Sequence, residues 1–179
     1  MVNVGVIGCG YWGPNLIRNF YEVPLAKMSI CCDLKKERLN YIQSRYAVKT
    51  TEDYKEILGD PEIDAVVIAT PIFTHFKLAK ETLLAGKHIL VEKPLTTSSR
   101  EAEELIELSE VKNKVLMVGH TFEYNPAVLK IKELISKGEI GDIYYISSSR
   151  VNLGLHQSDN CVIWDLGPHD VSILLFWLN

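Results

Sequence analysis

Between Val2 and Val118 the chain alternates short, almost wholly apolar runs with longer segments of helical period, and this alternation constrains the fold more than any other feature. Val2–Ile7, Met28–Cys32, Ala65–Ala69, His88–Val91 and Val115–Val118 read as strands. Trp12–Tyr21, Leu34–Tyr46, Asp53–Leu58, Phe73–Leu84 and Ser98–Glu110 read as the helices between them. A strand apolar on both faces needs cover on both faces, and helices between successive strands supply it. The pattern predicts an α/β fold built on a doubly wound parallel sheet.

After Gly119 the rhythm changes. Tyr124-Asn125-Pro126 opens an amphipathic helix with Val128, Ile131, Leu134 and Ile135 on one face, ended by Gly138. Asp142–Val151 reads as a long strand, and Asp165 to Leu178 as a last helix. Two domains are expected, a complete Rossmann domain over 1–119 and a partial α+β domain over 120–179. A lone strand and helix would leave edges and apolar faces exposed: either other copies cover them, in a homo-oligomer such as a dimer or tetramer, or the chain is a truncated product.

Composition removes several function classes. The 19 Lys and Arg against 23 Asp and Glu leave a net charge of −4, with no basic stripe to track a phosphate backbone, so nucleic acid is not an expected partner. The apolar run Ile173–Leu178 is far too short to span a bilayer. Val2–Ile7 follows Met1 with no basic leader, so a cytoplasmic location is expected. Cys9, Cys31, Cys32 and Cys161 form no CxxC and read as reduced, small core residues. No histidine has metal-ligand spacing, and no metal is expected.

Gly8-Cys9-Gly10-Tyr11-Trp12-Gly13 fits GxGxxG, follows a strand and opens a helix. Gly8 allows the tight turn, Gly10 lets backbone approach a pyrophosphate, and Gly13 lets helix and strand pack closely. The helix N-terminus offers N–H groups and a positive dipole end to phosphate. Asp33 ends the next strand, where a carboxylate accepts hydrogen bonds from ribose hydroxyls and repels a 2′-phosphate. NAD is therefore expected over NADP. Lys35, Lys36 and Arg38 follow closely and soften that preference, although Lys35 and Lys36 also suit a solvated helix face.

Glu92-Lys93-Pro94 follows the strand ending at Val91, Trp164-Asp165-Leu166-Gly167-Pro168-His169-Asp170 begins the last helix, and Ala69-Thr70-Pro71 is followed by His75. With the glycine fingerprint, these motifs resemble the glucose–fructose oxidoreductase/inositol dehydrogenase/MocA family over essentially the whole chain. The resemblance implies a nicotinamide-dependent oxidoreductase acting on a sugar or polyol. It places Lys93, Asp165 and His169 beside substrate and nicotinamide. It places Tyr11, Trp12, Thr70, Pro71, Ile72, His75, Glu92 and Lys93 along the cofactor, and Asn125 near substrate. Asn152-Leu153-Gly154-Leu155 with the Trp164–Asp170 motif resembles members acting on nucleotide sugars, in particular UDP-N-acetylglucosaminuronate 3-dehydrogenases.

The residue types suit that chemistry. Oxidising a secondary alcohol sends a hydride to the nicotinamide and a proton to a base, and histidine titrates in the right range. Asp165 is expected to N-cap the last helix, with Pro168 in its first turn and His169 near the positive end of the dipole. Lys93 can stabilise negative charge on the reacting oxygen. Which of Lys93 and His169 carries the proton stays open. So do the plainer readings, a surface Lys93 paired with Glu92 and a packing His169. The competing functions are another sugar or polyol dehydrogenase and a dinucleotide-binding module without catalysis.

Overall fold

The computed structural model describes residues 1–151 and 161–179. The Asn152–Leu155 motif and His156 lie outside the described residues. Six parallel strands, β1 (Val2–Ile7), β2 (Ala26–Cys32), β3 (Lys49–Thr51), β4 (Ala65–Ile68), β5 (His88–Val91) and β6 (Leu116–Val118), form one sheet in the order β3-β2-β1-β4-β5-β6. Helices α1 (Gly13–Glu22), α2 (Lys36–Gln43), α3 (Tyr54–Gly59), α4 (His75–Leu84) and α5 (Ser99–Val111) connect them. This is the Rossmann order, with the strand direction of travel reversing between β1 and β4.

The pleat sorts the apolar runs onto two faces. Val66, Ile68, Ile89 and Val91 point to one side, where Ile57 of α3, Leu78 and Leu83 of α4 and Leu105 of α5 close over them. Val4, Val6, Cys31 and Val67 point to the other, under Ile17 of α1 and Leu39 and Ile42 of α2. Each fully buried aliphatic side chain contributes about 1.5–3 kcal/mol relative to exposure. Cys9, Cys31 and Cys32 serve as small buried groups, whereas Cys161 is exposed, so the core reading fails for that one cysteine.

Two strands depart from the sequence reading by more than one residue. β2 begins at Ala26, and β3 was not anticipated, because three residues with two threonines carry no apolar period. β3 is an edge strand, formed by pairing with Ile30–Cys32 of β2.

The chain divides into two compact units, Met1–Gly119 and His120–Asn179. In the second, α6 (Pro126–Ser136) and α7 (Val162–Leu178) are joined by Trp177, whose indole N–H donates to the Val128 carbonyl at 2.9 Å. Residues 142–151 form no strand, which corrects the expectation for this segment. A strand exists through its ladder, and the described residues of this unit hold no second strand to pair with it. Among the described residues no helix is long and apolar enough to cross a membrane.

Candidate functional site

Strand register brings the candidate cofactor residues to one line. Ile7 pairs with Cys32 and Ile68, Cys32 with Thr51, Ile68 with Val91, and Val91 with Val118. The residues that follow, Gly8, Asp33, Ala69, Glu92 and Gly119, therefore share the carboxyl edge of the sheet, where doubly wound folds bind ligands.

Gly8 has φ +101°, and a Cβ there would lie 2.5 Å from the Ala69 carbonyl oxygen. A Cβ on Gly13 would lie 2.1 Å from the Gly8 carbonyl oxygen. The loop can fold back onto β4 and onto the start of α1 only without side chains at these two positions. At Gly10 a Cβ would meet only the Arg38 guanidinium, at 3.4 Å. The turn thus presents bare backbone at the N-terminus of α1, where Pro14 occupies the first helical turn. Tyr11 is almost fully exposed, and Trp12 is partly so.

Asp33 is 7% exposed, and its carboxylate is already engaged. Oδ2 accepts the Cys9 N–H at 2.8 Å, and Oδ1 accepts the Lys35 N–H at 2.9 Å. Arg38 adds an ion pair at 3.2 Å from its half-exposed guanidinium. Asp33 is therefore both a buttress of the glycine turn and the anion at the expected ribose position. Its pairing with Arg38 joins residues five apart across the start of α2.

Glu92 is half-buried against Gly119, where a Cβ would lie 3.1 Å from its Oε1. Burial pushes its carboxyl above the ordinary glutamate value, against hydrogen bonds from the Lys93 N–H and the Trp12 side chain and the nearby Lys93 charge. Its Oε1 has no hydrogen-bond partner among the described residues. Buried polar atoms are rarely left so, and an acceptor here beside the glycine turn suits a donor supplied by a dinucleotide. The bare glycine cradle and this orphaned oxygen together fit an NAD-type cofactor.

The Lys93–Pro94 peptide is cis. His75, 2% exposed, sets Nδ1 2.9 Å from the Pro94 carbonyl oxygen and Nε2 2.8 Å from that of Thr70. Both acceptors are carbonyl oxygens, so the ring nitrogen that bears the proton donates the bond, and the ring lies between the loop carrying Lys93 and the turn after β4. In that turn the Thr70 and Thr74 hydroxyls lie 2.6 Å apart, the Thr74 hydroxyl donates to the Pro71 carbonyl at 2.7 Å, and Ile72–Thr74 forms a 3-10 turn.

In the second unit Asn125 is exposed and N-caps α6, its Oδ1 accepting the Ala127 N–H at 2.9 Å. Asp165 does not N-cap α7. The apolar residues before it extend the helix by a turn, and Cys161 takes the cap position. Pro168 consequently lies inside the helix, and His169 lies beyond the first turn, where the dipole's influence has faded. His169 therefore does not stand at the positive end of the helix dipole, contrary to expectation.

Three features escaped sequence reasoning. Phe122 packs edge-on against His169 with ring centroids 4.6 Å apart. Arg150 grips Asp170 with two hydrogen bonds, at 2.9 and 3.1 Å. Gly119 presses on Glu92. All three are tertiary pairings between distant segments; only the glycine left a local trace, as the stop after Val118. Among the described residues no group of three or more His, Cys, Asp or Glu side chains is placed to hold a metal.

Known proteins share this fold. The family described as "Oxidoreductase family, NAD-binding Rossmann fold" (GFO_IDH_MocA) matches residues 2–120. The scyllo-inositol 2-dehydrogenase (NAD(+)) of Bacillus subtilis is 36% identical, over 83% of this chain and 44% of its own length. The D-xylose 1-dehydrogenase (NADP(+)) of Hypocrea jecorina is 35% identical, over 69% of this chain and 32% of its own. The crystal structure of GenD2 from gentamicin A biosynthesis, in complex with NAD, superposes with a TM-score of 0.88 at 26% identity, covering 99% of this chain and 54% of that one. The chain spans about half the length of the curated relatives it matches. The fold, its glycine turn and the match over residues 2–120 agree, and the chain belongs to this family of NAD-binding oxidoreductases.

Proposed function

We propose that this chain serves a hydride transfer between a secondary alcohol of a sugar or polyol and NAD. Residues 1–119 bind the dinucleotide, and residues 120–179 contribute to the substrate domain. The observation that carries the reading is the glycine turn, bare at Gly8, Gly10 and Gly13, sharing one sheet edge with Asp33 and Glu92. Asp33 favours the unmodified ribose of NAD. Arg38 beside it favours NADP, since its guanidinium can turn to a 2′-phosphate.

NAD, when bound, accepts or returns the hydride. Gly8, Gly10, Tyr11, Trp12 and Gly13 cradle the pyrophosphate side. Thr70, Pro71, Ile72 and Glu92 line the nicotinamide side, and His75 holds that wall together. Lys93 donates a hydrogen bond to the reacting oxygen and steadies its developing charge. The alcohol proton leaves to Lys93 or His169, with Asp165 orienting ring or substrate. Asn125, exposed at the cap of α6, meets substrate. Nucleotide-linked sugars, UDP-N-acetylhexosaminuronates among them, are the favoured substrates on the sequence motif. The working form is a cytoplasmic homo-oligomer.

Incubation of the chain with NAD and a panel of UDP-hexuronates, inositol, xylose and glucose tests this. NADH formation with one of the sugars or polyols, lost in Lys93→Ala, is the expected result. NAD binding without turnover of any panel member would leave only the dinucleotide-binding half of the proposal standing. No binding of NAD or NADP would overturn it.

A further inference from the structure

His169 belongs to a closed circuit of side chains within the second unit. Its ring meets the Phe122 ring edge-on, with centroids 4.6 Å apart. The Arg150 guanidinium lies over that same Phe122 ring, 4.9 Å from its centroid. Arg150 in turn grips Asp170, the residue after His169, through Nε at 2.9 Å and Nη2 at 3.1 Å. The Ser148 hydroxyl adds a hydrogen bond to Asp170 Oδ1 at 3.0 Å. The loop therefore closes from His169 through Phe122 and Arg150 to Asp170, and back along one peptide bond.

Each link has a physical reason to be specific. A planar guanidinium offers a fork that matches a carboxylate in two parallel bonds, and its face lies comfortably on an aromatic ring. Phe122 then has a cation on its face and an imidazole at its edge, which fixes its tilt. Arg150 and Asp170 are each about a quarter exposed, so solvent does not wash the pair out as it does at an open surface. Arg150 also stands two residues beyond Ser148 in a segment without a ladder of its own, so the same bonds anchor that segment to α7.

We propose that Arg150 is a positioning residue for His169, acting through Phe122 and Asp170 and touching neither substrate nor cofactor. The proposal rests on the reading of His169 as a residue at the reacting alcohol. Removing Arg150 uncovers the Phe122 ring and leaves the Asp170 carboxylate with the Ser148 hydroxyl alone, so two of the contacts that set the tilt of the imidazole are weakened together. Small misplacements of an oriented group cost catalytic rate by about ten- to a hundredfold while leaving the cofactor's own site untouched. Lysine keeps the charge over Phe122 but loses the forked grip, so Arg150→Lys falls between wild type and Arg150→Ala.

The test has two arms on the full chain. In the first, the His169 ring resonances are assigned by nuclear magnetic resonance in wild type, Arg150→Ala, Arg150→Lys and Phe122→Leu. Expected are displaced His169 resonances in Arg150→Ala and Phe122→Leu, with a smaller displacement in Arg150→Lys and an unchanged amide spectrum for residues 1–119. Unmoved His169 resonances in Arg150→Ala would overturn the proposal. This arm decides even if no substrate is turned over, so failure of the positioning claim is separate from failure of the functional reading. In the second arm, on the alcohol that wild type oxidises, Arg150→Ala lowers kcat about ten- to a hundredfold, with the KM for NAD unchanged. Unchanged kcat would overturn the role. A fall in NAD affinity of the same size would point to general unfolding and would overturn it too.

Discussion

Asp33 and Asp170 are both held by an arginine, yet their surroundings are built by different means. Asp33 stands at the end of β2, in line with four other strand ends, and two backbone N–H groups bind it before Arg38 does. Asp170 is bound by the side chains of Ser148 and Arg150, in a unit whose described residues hold helices and turns but no sheet. The first region is organised by its backbone and the second by its side chains. Backbone-built sites fail when a Cβ is added; side-chain-built sites fail when one is shortened.

The largest effect that could break the contrast is at the glycine turn. Gly13→Val puts a Cβ 2.1 Å from the Gly8 carbonyl, so the turn must open. A cost of about 3 kcal/mol is expected, at the upper end of overpacking, together with loss of measurable NAD binding by calorimetry. A variant that melts and binds like wild type would contradict the backbone account. Lys93→Ala carries the next effect, a fall in kcat of about a hundredfold or more, with the melting temperature of the chain hardly changed.

A smaller effect should appear at Trp177, and in the second unit alone. Trp177→Phe loses the hydrogen bond to the Val128 carbonyl, worth about 1 kcal/mol. Hydrogen exchange should quicken in α6 and α7 while the sheet stays protected. Uniform acceleration in both units would deny that the bond acts locally.

The smallest effects, on pH, have opposite signs in the two regions. Burial holds the Glu92 carboxyl above its ordinary value, so between about 4.3 and the raised value the native chain binds the extra proton, and stability falls as pH rises. Hydrogen bonds from Arg150, with lesser help from Ser148, hold Asp170 below its ordinary value. There the unfolded chain binds the extra proton, and stability falls as pH drops below about 3.9. Thermal melts against pH should lose the first slope in Glu92→Gln and the second in Asp170→Asn. Slopes of the same sign would refute these assignments.

How far the sequence could be read follows the same division. Val66-Val67-Ile68 and Ile89-Leu90-Val91 announce buried strands because parallel strands bury both faces, and the helices between successive strands announce that the sheet is parallel. The glycine turn was legible because its requirement is local. Lys49–Thr51 was not, because an edge strand of three residues is made by its neighbour. Residues 142–151 misled for the converse reason: a β-rich sequence without a paired partner forms no strand. The cap at Asp165 was misplaced because Val162-Ile163-Trp164 can continue a helix as readily as precede one. The pairings of Arg38 with Asp33, Arg150 with Asp170 and His75 with two carbonyls join segments that no sequence pattern links.

On the reading proposed above, residues 1–119 hold a dinucleotide on a glycine turn buttressed by Asp33. Calorimetric titration of the full chain with NAD, in wild type and Gly13→Val, tests it most directly. Saturable binding of one NAD per chain is expected in wild type, and none in the variant. Equal binding by both, or binding of neither NAD nor NADP by wild type, would contradict it.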